Sequence, residues 1–460
     1  MLVMKFGGTS VGNAAAIQRV CSIIAGRSAQ KPVVVTSAVG GVTNKLVRLS
    51  KLAGQGERKD AESLLEEIII QHRTIAEELD LFTDQVFAVA FQQAEALLRE
   101  AVARVFADGR LTDESYDAVI STGEFFTANM LPAVLRKNGL AAVFADARAM
   151  MMTDDHFSAA RPLLDESTPR ARSILVPIVQ SGKIPVTQGF VGSTLDGRTT
   201  TLGRGGSDYS ATLFGAMLQV GLVEIWSDVD GVLTADPSLV PDAHRIRYMS
   251  FQEAAELAYF GAKVLHPATL APAVERDMTV KVLNSMNPSF DGTAISKHRP
   301  VDALHEGRVK SIAYKEGLTV ITVISDRMLM AYGFMAKVFS VFEKYETPVD
   351  LVATSEVSVS MTIDNTRRLE EIVAELAQIG SVQVEKGKAI VCLVGDGLKK
   401  AKGIPGQVFG LLQDTRISLI SQGASEINLS FVIDEDDLKR VVPRLHDYFF
   451  QGELDPRVFA

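Results

Sequence analysis

The stretch TLGRGGSDYSA, from Thr201 to Ala211, places three glycines around Arg204 and then continues into an apolar run. Glycines let a backbone approach a ligand closely, and a helix that begins after them presents free N–H groups to an anion. An arginine in such a loop can bind a carboxylate or a phosphate through two parallel hydrogen bonds. The stretch therefore indicates an anion-binding loop, although an ordinary glycine turn with Asp208 at the start of a helix would have the same pattern.

A second glycine loop lies near the N-terminus. Leu2–Phe6 has the pattern of a short buried strand, Gly7-Gly8-Thr9-Ser10 follows it, and apolar residues at helical spacing come next. This is the order in which backbone amides hold phosphate groups, and Lys5 lies where its ammonium group can reach them. The Walker pattern is absent because the lysine precedes the glycines, and no GxGxxG follows a strand. Lys5 is thus either a candidate phosphate ligand or a surface lysine at a strand end.

The composition disfavours several classes of protein. Hydrophobic residues make up 47% and charged residues 22% of the 460 residues, as in globular proteins, and this length predicts two or more domains. The net charge of −9 disfavours a nucleic-acid or membrane partner. Two cysteines and seven histidines without metal-site spacing predict neither a disulfide framework nor a zinc site. With no apolar run of membrane-spanning length and no secretory signal, we expect a cytoplasmic protein.

Residues 1–290 alternate short β-rich segments with helical ones, which predicts a mostly parallel sheet covered by helices on both faces. Residues 58–106 form a longer helical insert, and the polar residues 291–312 predict a linker. The predicted strands include Val33–Thr36, Ala142–Ala145, Ile184–Thr187, Glu224–Ser227 and Val280–Leu283, and the predicted helices include Phe251–Tyr259 and Leu270–Arg276.

An internal repeat follows the linker. Gly333-x4-Val338-Phe339 recurs as Gly403-x4-Val408-Phe409, and Ser355-Glu356 recurs as Ser425-Glu426. Each copy has the order strand, glycine turn, helix, strand, turn, strand, which is typical of a ferredoxin-like βαββαβ unit. The two copies are predicted over residues 313–385 and 386–460. They can bind ligands, or they can serve only to dimerise the chain.

A set of ordered motifs resembles the amino-acid kinase family, and most closely its aspartate kinases. The repeats are similar to ACT domains, so the resemblance implies an α/β amino-acid kinase fold followed by two ACT domains. It also implies that the γ-phosphoryl group of ATP, with Mg²⁺, is transferred to the β-carboxylate of L-aspartate. The motifs are KFGGTSV (Lys5–Val11), SAVGGVTN (Ser37–Asn44), STGE (Ser121–Glu124), TTTLGRGGSDYSA (Thr199–Ala211), WSDVDGVLTADP (Trp226–Pro237) and FGAKVLHP (Phe260–Pro267).

The resemblance assigns catalytic roles to two residues. Lys5 would stabilise the phosphoryl group in transfer, with backbone amides from Gly7 and Gly8 beside it. Asp208 would orient Lys5 or help to hold the magnesium cluster. Phosphoryl transfer needs positioning and charge stabilisation rather than an enzyme nucleophile, which agrees with glycine loops, a lysine, an arginine and carboxylates.

Substrate contacts are implied for a further group of residues. Arg204 would bind the α-carboxylate of aspartate, and Glu124 would bind its ammonium group. Ser37, Thr43 and Ser207 would contact the substrate through their polar groups. Without the resemblance, Glu124 is a residue near a helix start, and Ser37 and Thr43 are turn residues.

Nucleotide contacts are implied for a third group, and no residue is assigned as a direct metal ligand. Two positions depart from the family pattern: Leu233 stands where tyrosine is usual, and Ser238 stands where arginine is usual. The nucleotide contacts are therefore expected to be rearranged. The implied nucleotide-binding residues are Lys5, Gly7, Gly8, Ser227, Asp228, Leu233, Asp236, Lys263 and Val264.

The first repeat resembles the regulatory domain of lysine-inhibited aspartate kinases, and an L-lysine site is expected there. Asp350 would pair with the ammonium group of the ligand, whereas Ile420 stands at the equivalent place in the second repeat, and Pro405 removes a backbone donor there. Ala331 replaces a serine found in some of those enzymes. The implied regulatory residues are Met328, Gly333, Phe334, Met335, Val349, Asp350, Thr354 and Ser355.

Three other functions compete with this interpretation. The chain could be a kinase for another small carboxylate, or an amino-acid sensor that has lost its chemistry. A sensor would be expected to lose Lys5, Arg204 or Asp208, and all are present. An attached dehydrogenase domain is disfavoured because the sequence ends at Ala460. A homodimer or a dimer of dimers is expected from the repeats.

Overall fold

The computed structural model describes residues 1–261, 265–297, 307–328, 332–452 and 454–460. The chain divides into two compact units, which we describe separately. The first unit consists of Met1–Val232, Arg247–Phe251 and Val264–Arg299, and the second of Leu233–Ile246, Gln252–Lys263 and Pro300–Ala460.

An eight-stranded sheet forms the centre of the first unit, in the order β3-β5-β2-β1-β8-β10-β11-β9. Neighbours from β3 to β10 are parallel, and β11 is antiparallel to β10. Strands β1, β2 and β5 are wholly buried, as expected for a parallel sheet covered on both faces. The strands are β1 Leu2–Phe6, β2 Pro32–Thr36, β3 Ala142–Phe144, β5 Ile184–Gln188, β8 Leu222–Ser227, β9 Tyr248–Met249, β10 Thr279–Asn284 and β11 Thr293–Ile295.

A small sheet of β4 Met152–Thr153, β6 Val191–Thr194 and β7 Thr199–Thr201 lies in the same unit. The strands predicted from sequence are all present, so the expected mostly parallel sheet is confirmed. The helices up to residue 276 are α1 Ala14–Arg27, α2 Val42–Gly54, α3 Arg58–Glu78, α4 Gln85–Asp108, α5 Asp113–Ile120, α6 Thr122–Lys137, α7 Leu164–Gln180, α8 Gly206–Leu218, α9 Phe251–Tyr259 and α10 Pro267–Arg276.

The predicted helical insert forms α3 and α4, which pack with α2, α5 and α6 around a cluster of aromatic rings. Phe91 contacts the rings of Phe82, Phe87 and Phe126. Among the described residues, the stretch Asp113–Lys137, formed by α5 and α6, has the length and apolar composition of a membrane span, but 89% of its most apolar window is buried. We therefore interpret it as part of this core.

An antiparallel six-stranded sheet forms the centre of the second unit, in the order β13-β14-β12-β15-β17-β16. Its strands are β12 Ser311–Ile324, β13 Val352–Thr354, β14 Ser358–Ile363, β15 Ser381–Val394, β16 Ile417–Gln422 and β17 Asn428–Asp434. The helices are α11 Phe334–Lys344, α12 Leu369–Leu376, α13 Ile404–Leu411 and α14 Leu438–Phe450, and α9 also belongs to this unit from Gln252 onward.

The two repeats share their central strands. Strands β12 and β15 pair antiparallel along their whole length, with a register shift between Lys315 and Val320. The first residues of β12 lie beside the part of β15 that pairs with β17, and the last residues of β12 pair with β14. The repeats therefore form one continuous sheet. Strand β11 and the start of β12 lie within residues 291–312, and the domain limits proposed from sequence stay predictions.

The aromatic cluster predicts a large loss of stability on truncation. Phe91 is 2% exposed, so Phe91→Ala is expected to lower the free energy of unfolding by about 3–5 kcal/mol, because it leaves a cavity among rings. Val86 lies on the same helix and is 70% exposed, so Val86→Ala should change stability by less than about 0.5 kcal/mol. Urea denaturation of both variants measures the difference, and similar losses in the two would contradict this account of the core.

Candidate functional site

Two glycine loops meet at the carboxyl ends of β1, β2 and β8. In the folded chain we call residues 7–10, which follow β1, the first loop, and residues 40 and 41, which follow β2, the second loop. The N–H of Gly7 donates to the carbonyl of Trp226 (2.9 Å), and the N–H of Gly40 donates to the carbonyl of Gly8 (2.9 Å). A Cβ atom at Gly8 would lie 3.0 Å from the carbonyl oxygen of Ala38, so a side chain there would force the loops apart. The close packing of these loops explains why glycines stand at these positions.

A cleft of about 880 Å³ opens over these loops within the first unit. Its walls come from the two glycine loops, α2, α5 and the loop before α8, and carboxyl ends of parallel strands are where such sheets bind ligands. The cleft brings together eight residues singled out from sequence: Lys5, Gly8, Ser37, Thr43, Glu124, Arg204, Ser207 and Asp208.

An ion pair between buried Lys5 and half-buried Asp208 occupies the floor of the cleft. The Nζ atom of Lys5 lies 2.5 Å from Oδ1 of Asp208, and Lys5 is 7% exposed. Asp208 stands in the first turn of α8, where the helix dipole stabilises a negative charge. A Cβ atom built at Gly7 would lie 3.5 Å from the Lys5 ammonium, so the backbone of the first loop closely borders this charge.

The loop before α8 depends on left-handed glycines. Gly203 has φ +74° and Gly205 has φ +71°, and a Cβ atom at Gly205 would lie 2.5 Å from Cβ of His266. Between these glycines, Arg204 is exposed at the rim of the cleft. Within the described part of the chain its guanidinium has no acidic partner, so it can receive an anion.

Glu124 is a buried carboxylate that faces the cleft. Its Oε1 accepts a weak hydrogen bond from the N–H of Ala38 (3.3 Å), and its Oε2 has no hydrogen-bond partner among the described residues. Burial raises the pKa of Glu124 to about 8, against the opposing effects of the Ala38 N–H and the Lys5 charge. A buried carboxylate with a free oxygen is a suitable partner for an ammonium group.

Apart from Lys5, Gly7 and Gly8, the described residues predicted to bind nucleotide fall in two places. Ser227 ends β8 beside the first glycine loop, with its carbonyl bonded to the N–H of Ser285 (2.9 Å), and Asp228 follows it at the surface. Neither residue lines the cleft. Leu233 and Asp236 belong to the second unit. Lys263 and Val264 lie outside the described residues.

Ser238, one of the two departures from the family pattern, has a local role. Its N–H and its hydroxyl both donate to Oδ1 of Asp236, at 2.8 Å and 2.6 Å, and the hydroxyl of Tyr314 donates to the other oxygen (3.2 Å). The carboxylate of Asp236 is thus held in a closed turn.

Asp208 is the residue of the cleft best suited to contact Mg²⁺. Among the described residues no group of three or more potential metal ligands is found. Magnesium in kinases is usually bound by one or two carboxylates together with substrate phosphates, so an all-protein site is not required. A single carboxylate beside the glycine loops fits such an ion.

The regulatory residues predicted in the first repeat lie on several of its elements. Gly333 caps this helix with φ +76°, and Met328, Met335 and Val349 pack against the core of the repeat. Phe334 is buried, whereas Thr354 and Ser355 are exposed at the end of β13.

Asp350 lies in a cluster of polar groups in the same unit. Its Oδ1 accepts from Nζ of Lys315 (2.8 Å) and from the hydroxyl of Tyr259 (2.9 Å). Lys315 also pairs with Asp364 (2.8 Å). The buried Oδ2 of Asp350 has no hydrogen-bond partner among the described residues, so it can accept a donor from a ligand.

The sequence interpretation missed Asp117. This residue is fully buried on α5, and it accepts from the N–H of Ser158 and from both the N–H and the hydroxyl of Thr201. Burial raises the pKa of Asp117 to about 6, although these hydrogen bonds oppose the rise. Its only signal in the sequence is an acidic residue within an apolar helical pattern.

Comparison with known proteins gives consistent matches. Residues 1–284 match the model of the amino acid kinase family, and residues 391–449 match an ACT domain. The chain is 38% identical to lysine-sensitive aspartokinase 3 of Escherichia coli, and the match covers 98% of this chain and 99% of the relative.

Solved structures give the same result. The E. coli aspartokinase III complex with aspartate and ADP, in the R-state, has a TM-score of 0.84 at 36% identity and covers 98% of this chain and 100% of that chain. The complex with lysine and aspartate, in the T-state, has a TM-score of 0.81 at 37% identity with the same coverage.

The raised pKa of Glu124 predicts a pH-dependent stability. Glu124 binds a proton more tightly in the folded than in the unfolded chain. Proton binding therefore stabilises the folded state fully below about pH 4.5, and this contribution to the free energy of unfolding is lost as the pH rises through about 8. As the pH rises through this window, the free energy of unfolding of Glu124→Gln should increase relative to that of the wild type, by up to about 1.4 kcal/mol per pH unit.

Glu67→Gln serves as the control, because the exposed Glu67 is paired with Lys45, which lowers its pKa. The difference in the free energy of unfolding between Glu67→Gln and the wild type should be constant from about pH 6 to about pH 8. Urea denaturation at several pH values measures both variants, and a pH-independent difference for Glu124→Gln would contradict the assignment.

Proposed function

The chain belongs to the amino acid kinase family and, within it, to the aspartokinases, and we propose that its cleft transfers the γ-phosphoryl group of ATP to the β-carboxylate of L-aspartate. The observation that supports this best is the composition of the cleft. The floor of the cleft carries the pair of Lys5 and Asp208 beside the glycine loops, and the same cleft carries the buried carboxylate of Glu124 and an arginine, Arg204, that has no acidic partner among the described residues. The first set suits a phosphoryl group, and the second suits an amino acid.

Lys5 would stabilise charge during the transfer. A β-carboxylate oxygen of aspartate forms a bond to the γ-phosphorus while the bond from that phosphorus to the β,γ-bridging oxygen breaks, so ADP leaves with the electron pair. The Lys5 ammonium, held by Asp208, would contact the oxygens on which negative charge is spread. Because the ammonium group is buried and held by Asp208 before substrates bind, little reorganisation is needed.

Asp208 would have a second role toward Mg²⁺. The ion, when bound with the nucleotide, neutralises phosphate charge. Asp208 can contact it with the carboxylate oxygen that Lys5 does not occupy. The backbone amides of the loop at Gly7 and Gly8 would supply neutral donors to the phosphates.

Arg204 and Glu124 would select an amino acid by its non-reacting groups. The guanidinium can bind the α-carboxylate in a bidentate manner, and the free Oε2 of Glu124 can accept the ammonium group. A substrate without an ammonium group would leave Glu124 buried without a partner, so simple dicarboxylates should be poor substrates. A kinase for another acidic amino acid remains the competing function, and activity with L-glutamate compared with L-aspartate distinguishes the two.

L-Lysine is proposed as a feedback inhibitor that binds the first repeat. The similar aspartokinase 3 of E. coli is named as lysine-sensitive. The start of α11 offers free backbone N–H groups for a carboxylate, and the buried Oδ2 of Asp350 can take an ammonium group. Binding there would favour an inactive state through the difference in affinity between two conformations. We further infer a homodimer or dimer of dimers, and a cytoplasmic location.

Variants of the cleft test the catalytic roles. Lys5→Ala should lower kcat by about 10²–10³-fold and change KM for aspartate much less, because the lost charge acts mainly in the transition state. Arg204→Ala is the matched comparison: it should raise KM for aspartate strongly and leave KM for ATP nearly unchanged, because the α-carboxylate does not react. Coupled detection of ADP measures both, and near-normal kcat in Lys5→Ala would overturn the assignment.

A variant of the first repeat tests the regulatory site. Asp350→Ala should abolish inhibition by millimolar L-lysine and keep kcat without lysine within about twofold. Asp434→Ala is the control, because Asp434 pairs with Lys388 (2.7 Å) in the second repeat and is not assigned to the ligand. Absence of lysine inhibition in the wild type, or equal inhibition of Asp350→Ala, would refute the proposal.

A further inference from the structure

Asp117 joins three pieces of backbone behind one wall of the cleft. Its Oδ1 accepts from the hydroxyl of Thr201 (2.6 Å), and its Oδ2 accepts from the N–H of Thr201 (2.8 Å) and of Ser158 (2.9 Å). No cation is among these partners. The carboxylate is fully buried, and a buried charge is retained only where donors replace water.

One of the two bonded segments leads into the loop that presents Arg204, and the other packs against that loop. Thr201 ends β7, and the glycine loop of Gly203 begins two residues later. A Cβ atom built on Gly203 would lie 3.3 Å from the carbonyl oxygen of Ser158, and the N–H of Ala160 donates to the carbonyl of Thr201 (2.9 Å). The segment around Ser158 therefore supports the glycine loop from behind.

Ser158 has an uncommon backbone conformation that this contact helps to hold. Its φ is +68°, which costs a serine free energy relative to a glycine. The N–H of Ser158 points to Asp117, so the charged acceptor stabilises a turn that the local sequence does not favour. The ion pair between Arg198 and Glu114 also links α5 to the start of β7, but it is solvent-exposed and so contributes little.

Helix α5 also leads directly into the element that carries Glu124. It ends at Ile120, and α6 begins at Thr122 with Glu124 in its first turn. One carboxylate thus joins the element that bears Glu124 to the loop that bears Arg204.

We propose that Asp117 is a positioning residue that holds the Arg204 loop against α5 and so fixes the distance between the groups that bind the two ends of the amino acid. This inference rests on the proposed function. Asp117 does not line the cleft, so it would act on the substrate only through the Arg204 loop.

Asp208 is held independently of this contact. The hydroxyl of Ser210 on α8 accepts from the N–H of Phe190 (2.8 Å) and donates to the carbonyl of Gly206 (2.9 Å). Asp208 therefore stays in place when the loop before α8 loosens. Loss of Asp117 should weaken aspartate binding and spare the phosphoryl-transfer step, which is a KM effect rather than a kcat effect.

The test compares Asp117→Ala and Asp117→Asn in the full-length enzyme. Alanine leaves the buried N–H of Thr201 and the half-buried N–H of Ser158 without this acceptor, so KM for aspartate should rise about tenfold or more. Asparagine can accept both N–H groups with its oxygen and donate its amide to the Thr201 hydroxyl, so KM should rise less than about threefold. For both variants, kcat should stay within about threefold of the wild type and KM for ATP should be unchanged.

Ser167→Ala is the matched control. Ser167 is fully buried on α7 and accepts from the N–H of Met152 (2.8 Å), so it joins a helix to a small-sheet strand without lining the cleft. It should leave KM for aspartate unchanged. An equal rise in this control, an unchanged KM in Asp117→Ala, or a kcat loss as large as the KM rise would overturn the inference.

Amide hydrogen exchange without substrate separates this inference from the proposed function. Peptides that cover residues 199–206 should exchange fastest in Asp117→Ala. They should also exchange measurably faster in Asp117→Asn than in the wild type, because a neutral amide oxygen is a weaker acceptor than a carboxylate and the N–H groups open more often. Peptides that cover α8 should exchange as in the wild type. This readout also serves if Asp117→Ala does not fold. If the wild type fails to phosphorylate aspartate, the proposed function fails, and unchanged exchange in Asp117→Asn would still refute the positioning role.

Discussion

The parallel alignment of β2, β1 and β8 is the constraint on which the site depends. It brings the loops that follow these strands so close that the N–H of Gly40 bonds the carbonyl of Gly8, and that a side chain at Gly8 would meet Ala38. Lys5 is the penultimate residue of β1, the central strand of this group, and lies two residues before Gly7. The position of the ammonium group that would act in phosphoryl transfer is therefore determined by the register of the sheet and not by a loop.

Two acidic groups in the cleft, Asp208 and Glu124, and Asp117 behind its wall differ in burial and in their partners. Asp208 has the ammonium group of Lys5 as its partner and stands in the first turn of α8. Glu124 has only a weak donor and the distant charge of Lys5, and its pKa is raised to about 8. Asp117 has three donors but no cation, and its pKa is raised to about 6. A site with carboxylates of unequal proton affinity can bind a cation at one and keep a fixed charge at another.

In the second unit the two repeats keep a common ion pair and differ in the residues around it. Both place a lysine against an aspartate, Lys315 with Asp364 directly after β14 and Lys388 with Asp434 at the end of β17. Only the first adds Asp350, whose second oxygen is free among the described residues. The shared strands β12 and β15 join the repeats in one sheet, so the proposed ligand of the first repeat would bind next to a strand that also pairs with the second.

The amino-acid sequence predicts the parallel sheet, the helical insert and the repeat, because periodicity and glycine loops are local properties of the chain, and the resemblance of its ordered motifs to a family predicts eight residues of the cleft. How the repeats share β12 and β15 is seen in the fold alone, because strand pairing joins residues far apart in sequence. The fold alone located Asp117, whose partners Ser158 and Thr201 stand on other segments. Likewise, the protonation of Glu124 follows from burial, which no local pattern specifies.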